Sequence, residues 1–270
     1  MTNPNLFNIV LVWPILNVLL GIYHGVVFLH IPFALGFSII LLTVLVRLIL
    51  APFTASQLKT STKMQKLTPH LNKLKEKHKN DAKVLQSETM KLYKEHGVNP
   101  AAGCLPVIIQ LPLIWGLYSV LQQVVAARQA TIVADINKIV YFPWLGLHAP
   151  WDTHFFGLQL GQSPSVLLKS VGILILLFPL ATAVSQFIQS KMMFATPEPI
   201  KPGEKKPEDM AAAFQMQSLY IFPVMIGFFS YTLPLGLSLY WNTFTIFGII
   251  QQYLISGWGG MQEWVDKLKR

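Results

Sequence analysis

The sequence predicts an all-α, polytopic membrane protein with a five-helix transmembrane core and a cytoplasmic helical hairpin. Three observations carry this. Charged residues make up only 12% of the 270 residues while apolar residues reach 53%, against roughly 25% charged in a soluble domain. Six apolar runs, at 8–30, 34–56, 103–126, 166–189, 216–234 and 236–257, approach the ~20 residues that cross a hydrocarbon core about 30 Å thick. The basic residues between the runs are strongly sided. Mean hydropathy is +0.48. These figures exclude a disordered chain, a collagen, a coiled-coil rod and an ordinary cytosolic enzyme. The alternating ten-residue strands of a membrane barrel are missing.

The elements follow in order. Run 8–30 is long enough to span but carries no charge to orient it. Trp13, Asn17, Gly21 and His24 give it a weakly polar face and Pro14 interrupts it, so a helix lying on the outer surface is a fair alternative. From residue 34 onward five spans satisfy the charges. Residues 57–96 hold ten lysines and four acids, 190–215 four lysines, and 257–270 three basic residues, whereas 127–165 holds only Arg128 and Lys138. The basic residues divide 17 against 2. The positive-inside rule then places 57–96, 190–215 and the C-terminus in the cytoplasm, with 127–165 and the turn at 233–237 outside. No basic leader precedes the first run, so no cleaved signal peptide is expected.

Within 57–96, Met64, Leu67, Leu71 and Leu74 form an apolar seam at helical spacing. Lys79-Asn80-Asp81 supplies a turn, and Val84, Leu85 and Leu92 form a thinner seam. Two antiparallel helices of about 17 residues each are expected by this spacing. The plain reading is a solvated spacer. The sharper reading is a docking arm for anionic headgroups or an incoming chain, with Lys59, Lys63, Lys66, Lys73 and Lys77 as charges and Met64 and Met90 as adaptable apolar contacts.

Arg47 is the first charge of the chain and lies inside GFSIILLTVLVRLILAPFT. Arginine at a helix centre costs roughly 2.5–3.5 kcal/mol on insertion scales. No Asp or Glu lies in any apolar run, so an ion pair within the bundle has no obvious partner. A snorkelled or structurally paired arginine is the bland alternative, and an arginine facing a hydrated cavity is the favoured reading. Thr43 shares its face one turn earlier. Gln110, the stripe Thr182, Ser185, Gln186 and Gln189, and the cluster Tyr240, Trp241, Asn242, Thr243 and Thr245 could line that cavity. Singly, each is more often an interhelical hydrogen bond or interfacial aromatic. Pro106, Pro112, Pro179, Pro223 and Pro234 are expected to bend helices.

Signatures of covalent chemistry are missing: no HExxH, no GxSxG, no phosphate-binding glycine loop and no carboxylate pair in a span. The expectation is therefore a protein that is not an enzyme, with no cofactor and no metal. Cys104 is the single cysteine and reads as a packing residue. His148 and His154 read as ordinary loop residues.

The stretch Asn99-Pro100-Ala101-Ala102-Gly103-Cys104-Leu105-Pro106, continuing to Gln110-Leu111-Pro112, resembles the NPxxGCxPxxxQxP signature of the YidC membrane protein insertases. Met90-Lys91-Leu92-Tyr93-Lys94, the Arg47 segment and GLSLYWNTFTIFGIIQQ resemble the same family in the same order, over residues 5–256. The resemblance implies a groove open to the cytoplasm and lipid, with Arg47, Gln186 and Trp241 lining it and Thr43 and Tyr240 as weaker positions. It implies that 1–31 is an outer-surface amphipathic helix, 32–256 the five-span core and 257–270 a short cytoplasmic tail, with the N-terminus outside a bacterial-type cell membrane. The large extracytoplasmic domain of some members is not expected, and 127–165 has no assigned role.

The implied function is insertion. Polar tails of nascent membrane proteins pass through the groove and apolar segments leave into lipid, with anionic lipid, a Sec translocon and the ribosome as further partners and no direct nucleic-acid contact. A small-solute or anion channel with its site at Arg47 is the alternative, and an assembly factor for finished membrane proteins a third.

Overall fold

A computed structural model describes residues 2–78, 81–98, 111–112, 114–121, 129–193 and 216–269. The 99–106 motif, Gln110, the hairpin tip Lys79-Asn80 and most of 190–215 lie outside those residues. Among the described residues the regular structure is helical apart from one two-stranded hairpin. It divides into two compact units.

The first unit comprises Met1–Ile49, Val107–Thr182 and Gly227–Phe244. A π-helical turn, Asn8–Val12, runs into α1, Trp13–Phe28. The same arrangement recurs where the π-helical turn Gln217–Ile221, in the second unit, runs into α8, Phe222–Thr232. In both places the helix proper opens with an aromatic residue followed by proline, Trp13-Pro14 and Phe222-Pro223. Proline clashes with the carbonyl four residues back, and widening that turn relieves the clash. Pro14 is thus absorbed, and Asn8–Phe28 stays one 21-residue helix apolar enough to cross a bilayer.

Val12, Leu16, Leu19 and Leu20 of this helix are fully buried and pack in one cluster with Leu35, Ile39 and Leu42 of α2, Ala34–Ile49. The polar face of α1 meets protein. Asn17 Nδ2 donates to the Trp13 and Ile139 carbonyls at 2.8 and 3.1 Å, and its Oδ1 accepts from the Tyr141 N–H at 2.7 Å. His24 Nε2 lies 3.1 Å from the Leu145 carbonyl that accepts from it.

The segment 127–165 gains a role through these contacts. After α5, Gln129–Asn137, Asn137 holds both the N–H and the carbonyl of Leu147 at 2.8 and 2.9 Å. The strands β1, His154–Phe155, and β2, Leu158–Gln159, pair antiparallel. Leu145, Leu147, Trp151 and Phe155 join the main apolar cluster. Phe155 lies so close to Gly36 of α2 that a β-carbon there would overlap its ring. The turn at 233–237 is fastened to the same segment, because the N–H groups of Leu235 and Gly236 donate to the Gln162 and Leu160 carbonyls at 2.9 and 2.7 Å.

Run 166–189 is not one helix. It breaks at Gly172, where φ is +82°, a conformation suited to glycine. Before it lies α6, Pro164–Val171. After it a 3₁₀ turn leads into α7, Leu177–Met193. The stretch long and apolar enough to span is therefore Ile173–Met193, shifted towards the C-terminus. α9, Leu235–Ser256, follows α8. The chain passes between units within α7, within α8 and within α9.

The second unit comprises Leu50–Pro106, Ala183–Ile226 and Thr245–Arg270. Its α3 spans Ala51–Lys77 and its α4 Ala82–Glu95. The hairpin helices are thus 27 and 14 residues long, not a matched pair. Asp81 caps α4 by accepting from the Val84 N–H at 3.0 Å, a typical side-chain cap. Leu67, Tyr93 and Val98 form the hairpin's own core, with Met64 and Leu71 against it. A C-terminal helix, α10, covers Gln262–Leu268.

Candidate functional site

α2 ends at Ile49, and α3 begins at Ala51 with Pro52 in its first turn. Proline has no N–H to continue the preceding helix and its ring clashes with the carbonyl four residues back, so at Pro52 the run 34–56 breaks, just after Arg47. Arg47 consequently sits in the last turn of α2 instead of nine residues from a helix end. The dipole at a helix C-terminus favours a cation there.

Arg47 is 5% exposed. Its Nε and Nη2 donate to the Phe244 carbonyl at 3.0 and 2.6 Å, and its Cζ lies 3.4 Å from the centroid of the Phe244 ring. One residue of α9 therefore supplies both an acceptor and a π-face. A desolvated cation–π contact contributes about 2 kcal/mol, and a hydrogen bond to a charged group about 1.5–3 kcal/mol. Together these offset the roughly 2.5–3.5 kcal/mol insertion cost of the arginine. No carboxylate among the described residues pairs with it. Dipoles stabilise the charge but do not cancel it.

The surroundings bring together some of the expected lining and not the rest. Thr43 is fully buried, and its hydroxyl donates to the Ile39 carbonyl at 2.6 Å. Thr43 and Tyr240 share a cavity of about 20 Å³ with Ile15, Leu42, Val46 and Leu117. The Tyr240 ring lies 5.8 Å from that of Phe244. Trp241 is half-buried against the main cluster. Gln110 lies outside the described residues. Gln186 belongs to the second unit, where its Oε1 accepts from Thr245 at 3.5 Å. Phe244 is the partner that the residue pattern missed. An apolar side chain in an apolar helix gives no sign that its carbonyl will be used.

A buried polar network joins α9 to its neighbours. Thr182 and Ser230 hydroxyls are 3.0 Å apart, Ser230 donates to Ser238 at 3.0 Å, and Asn242 Nδ2 donates to Thr182 at 2.8 Å and to the Ser238 carbonyl at 2.9 Å. These bonds tie α7, α8 and α9 two residues before Phe244.

In the hairpin, Lys59, Lys63, Lys66, Lys73 and Lys77 are exposed, as is Met90. Met64 is instead engaged with the hairpin core. An open cleft of about 350 Å³ runs between α3 and α4, lined by His70, Lys73, Lys77, Glu88, Lys91 and Glu95 over Leu74 and Leu92. Lys191, expected in a cytoplasmic loop, lies in the last turn of α7, with its Nζ 5.2 Å from the Trp264 ring centroid. Among the described residues no cluster of His, Cys, Asp and Glu could hold a metal.

Residues 27–261 match the model of the 60Kd inner membrane protein family. The membrane protein insertase YidC of Fusobacterium nucleatum is 35% identical over 220 residues, covering 82% of this chain and 85% of that protein. The membrane protein insertase MisCA of Bacillus subtilis is 34% identical, covering 82% and 70%. A solved structure described as an active YidC insertase with its first transmembrane domain resolved superposes with a TM-score of 0.52 at 27% identity. It covers 86% of this chain, which spans about half the length of that solved chain, 46%. None of these is named as a channel or transporter, so the anion-channel alternative finds no support. The chain belongs to the 60Kd inner membrane protein family.

Proposed function

We propose that the chain is a membrane-embedded protein insertase and chaperone that moves polar tails of nascent membrane proteins past Arg47 and releases their apolar segments into lipid. The observation that carries this reading is Arg47 itself: a buried cation, held by the Phe244 ring and carbonyl, with no carboxylate partner among the described residues. Held in this way, it is pre-positioned for an acidic group that arrives and leaves. Thr43, Tyr240 and Trp241 belong to the same lining. Gln186 belongs to it by resemblance, and Gln110 as a polar residue of an apolar run. No covalent step is needed. The apolar segment is driven into lipid by roughly 25 cal/mol per Å² of apolar surface removed from water.

The reading includes five core spans with 57–96, 190–215 and the tail 257–270 in the cytoplasm and 127–165 outside. The hydrogen bonds from Leu235 and Gly236 to residues 160 and 162 support placing 127–165 and 233–237 at one end. The exposed lysines of α3 serve as the docking charges for anionic headgroups or an arriving chain, each worth about 1 kcal/mol near an anionic surface. A Sec translocon and the ribosome are further proposed partners. The test is insertion of a short single-span substrate with an acidic tail into vesicles reconstituted with the full chain. Protection of the tail above that in empty vesicles is expected, and equal protection refutes the reading.

A further inference from the structure

We propose that Gln57 and Gln252 form a hydrogen-bonding station for unpaired peptide groups of a substrate chain, adjoining Gln186; the proposal rests on the insertase reading. It begins with two polar stripes of the second unit. On α3, Thr54, Gln57, Ser61 and Gln65 recur at spacings of three, four and four, which is one helix face. Ser61 donates to the Met193 carbonyl at 2.6 Å, and Gln65 Nε2 to the Met192 and Met193 carbonyls at 3.0 and 2.6 Å. Both carbonyls lie in the last described turn of α7. Thr54 accepts from Gln251 Nε2 at 2.6 Å. On α9, Thr245, Gln252 and Ser256 recur at spacings of seven and four. Thr245 donates to Gln186, and Ser256 accepts from Thr62 at 2.9 Å.

The register places both glutamines at the junction of α3, α7 and α9. Gln57 is one turn before the α3 residue that bonds α7. Gln252 is one turn before the α9 residue that bonds α3, on the stripe that reaches Gln186 of α7. The flanking members Thr54, Ser61, Gln65, Thr245 and Ser256 all have partners. Gln57 Nε2 and Gln252 Oε1 have none among the described residues, although the two side chains are only 9% and 3% exposed. Neither is saved by solvent, and buried polar groups are otherwise almost always paired.

A donor and an acceptor left open at one junction match the N–H and C=O of a peptide group. Whichever way each carboxamide is turned, it offers one of each. A polar tail entering a low-dielectric region carries such groups unpaired until it leaves, and these are the groups most costly to bury. Neither glutamine is charged, so the station reads backbone and is indifferent to side-chain charge. That separates its role from that of Arg47.

The test uses the full chain in vesicles and single-span substrates with acidic and with neutral tails. Gln57→Leu/Gln252→Leu keeps the volume and removes both amides. Insertion of both substrates is expected to fall by several-fold to tenfold, while the unfolding temperature in detergent is unchanged or raised because orphaned groups are gone. Gln57→Met/Gln252→Met gives the same reading where branching disturbs packing. A photo-crosslinking residue at position 57 or 252 should capture an arrested substrate chain. Insertion at the parent level without a crosslink, as for a pair that binds water only, overturns the proposal. So does lost insertion that tracks a lowered unfolding temperature with no crosslink. If the parent inserts nothing beyond empty vesicles, the insertase reading is what fails.

Discussion

Replacing Phe244 with leucine isolates how Arg47 is held. The carbonyl that accepts from Nε and Nη2 stays, because it belongs to the main chain, while the ring 3.4 Å from Cζ is lost. Two losses are expected. The desolvated cation–π contact is worth about 2 kcal/mol. The ring pair with Tyr240 at 5.8 Å is worth about 0.5–1.5 kcal/mol. A double-mutant cycle with Arg47→Gln separates them, since only the first depends on the cation. The assay is unfolding of the purified protein in detergent, for the parent, both single variants and the double. The coupling energy should be about 2 kcal/mol. For a fold of this size that corresponds to a shift of roughly 4–8 °C in unfolding midpoint. A coupling below about 0.5 kcal/mol would mean that the ring does not hold the guanidinium, and the account of how the charge is tolerated would be wrong.

Further outcomes follow from the segment 127–165. Gly36→Ala places a methyl group into the Phe155 ring; it should destabilise by about 1–3 kcal/mol as overpacking does, and Phe155→Leu should recover part of that loss in the same unfolding assay. Asn17→Leu leaves the Ile139 carbonyl and the Tyr141 N–H unpaired. At about 1–3 kcal/mol for each orphaned group, proteolysis between residues 138 and 150 should accelerate. Absence of any change would show that Asn17 does not fasten this segment. The Asp152 carboxyl is held below its usual range by the His154 N–H, with the His154 ring adding to it at 2.8 Å. A depressed folded value stabilises above the unfolded carboxylate value and is lost as pH falls through the folded one. Asp152→Asn should therefore lower the unfolding midpoint near neutral pH and leave it unchanged in strong acid. The effect is small because the pair is exposed.

The sequence shows the class of fold plainly, because charge depletion and run length follow directly from the cost of burying charge in lipid. Helical spacing also shows Thr43 on the face of Arg47, whereas Tyr240, on another helix, enters only through the resemblance and as one of a polar cluster. The Phe244 partnership is hidden because main-chain acceptors carry no residue signature. The breaks at Leu50 and Gly172 are hidden for another reason. Apolar composition is continuous through both, and only Pro52 and a glycine with positive φ reveal that the helices stop. Pro14 shows the reverse: a residue expected to interrupt a helix is accommodated by a π-helical turn. The polar face of α1 was legible as a pattern, but its partner, the segment 137–147, is distant in sequence. The glutamines 57 and 252 could have been found as members of polar stripes at positions 54, 57, 61, 65 and 245, 252, 256.

The central claim is that Arg47 is an electrostatic receiver for the polar tail of a substrate, and charge reversal tests it most directly. Arg47→Glu and the parent would be compared in vesicles with three single-span substrates that differ only in tail charge: acidic, neutral and basic. A differential interaction of about 1.4 kcal/mol corresponds to tenfold. The acidic-tailed substrate should therefore insert on the order of tenfold less well through the variant, the neutral one about equally, and the basic one no worse than through the parent. Equal loss for all three tails, or no loss for the acidic one, would contradict the claim and leave Arg47 as a packing and hydration element of the bundle.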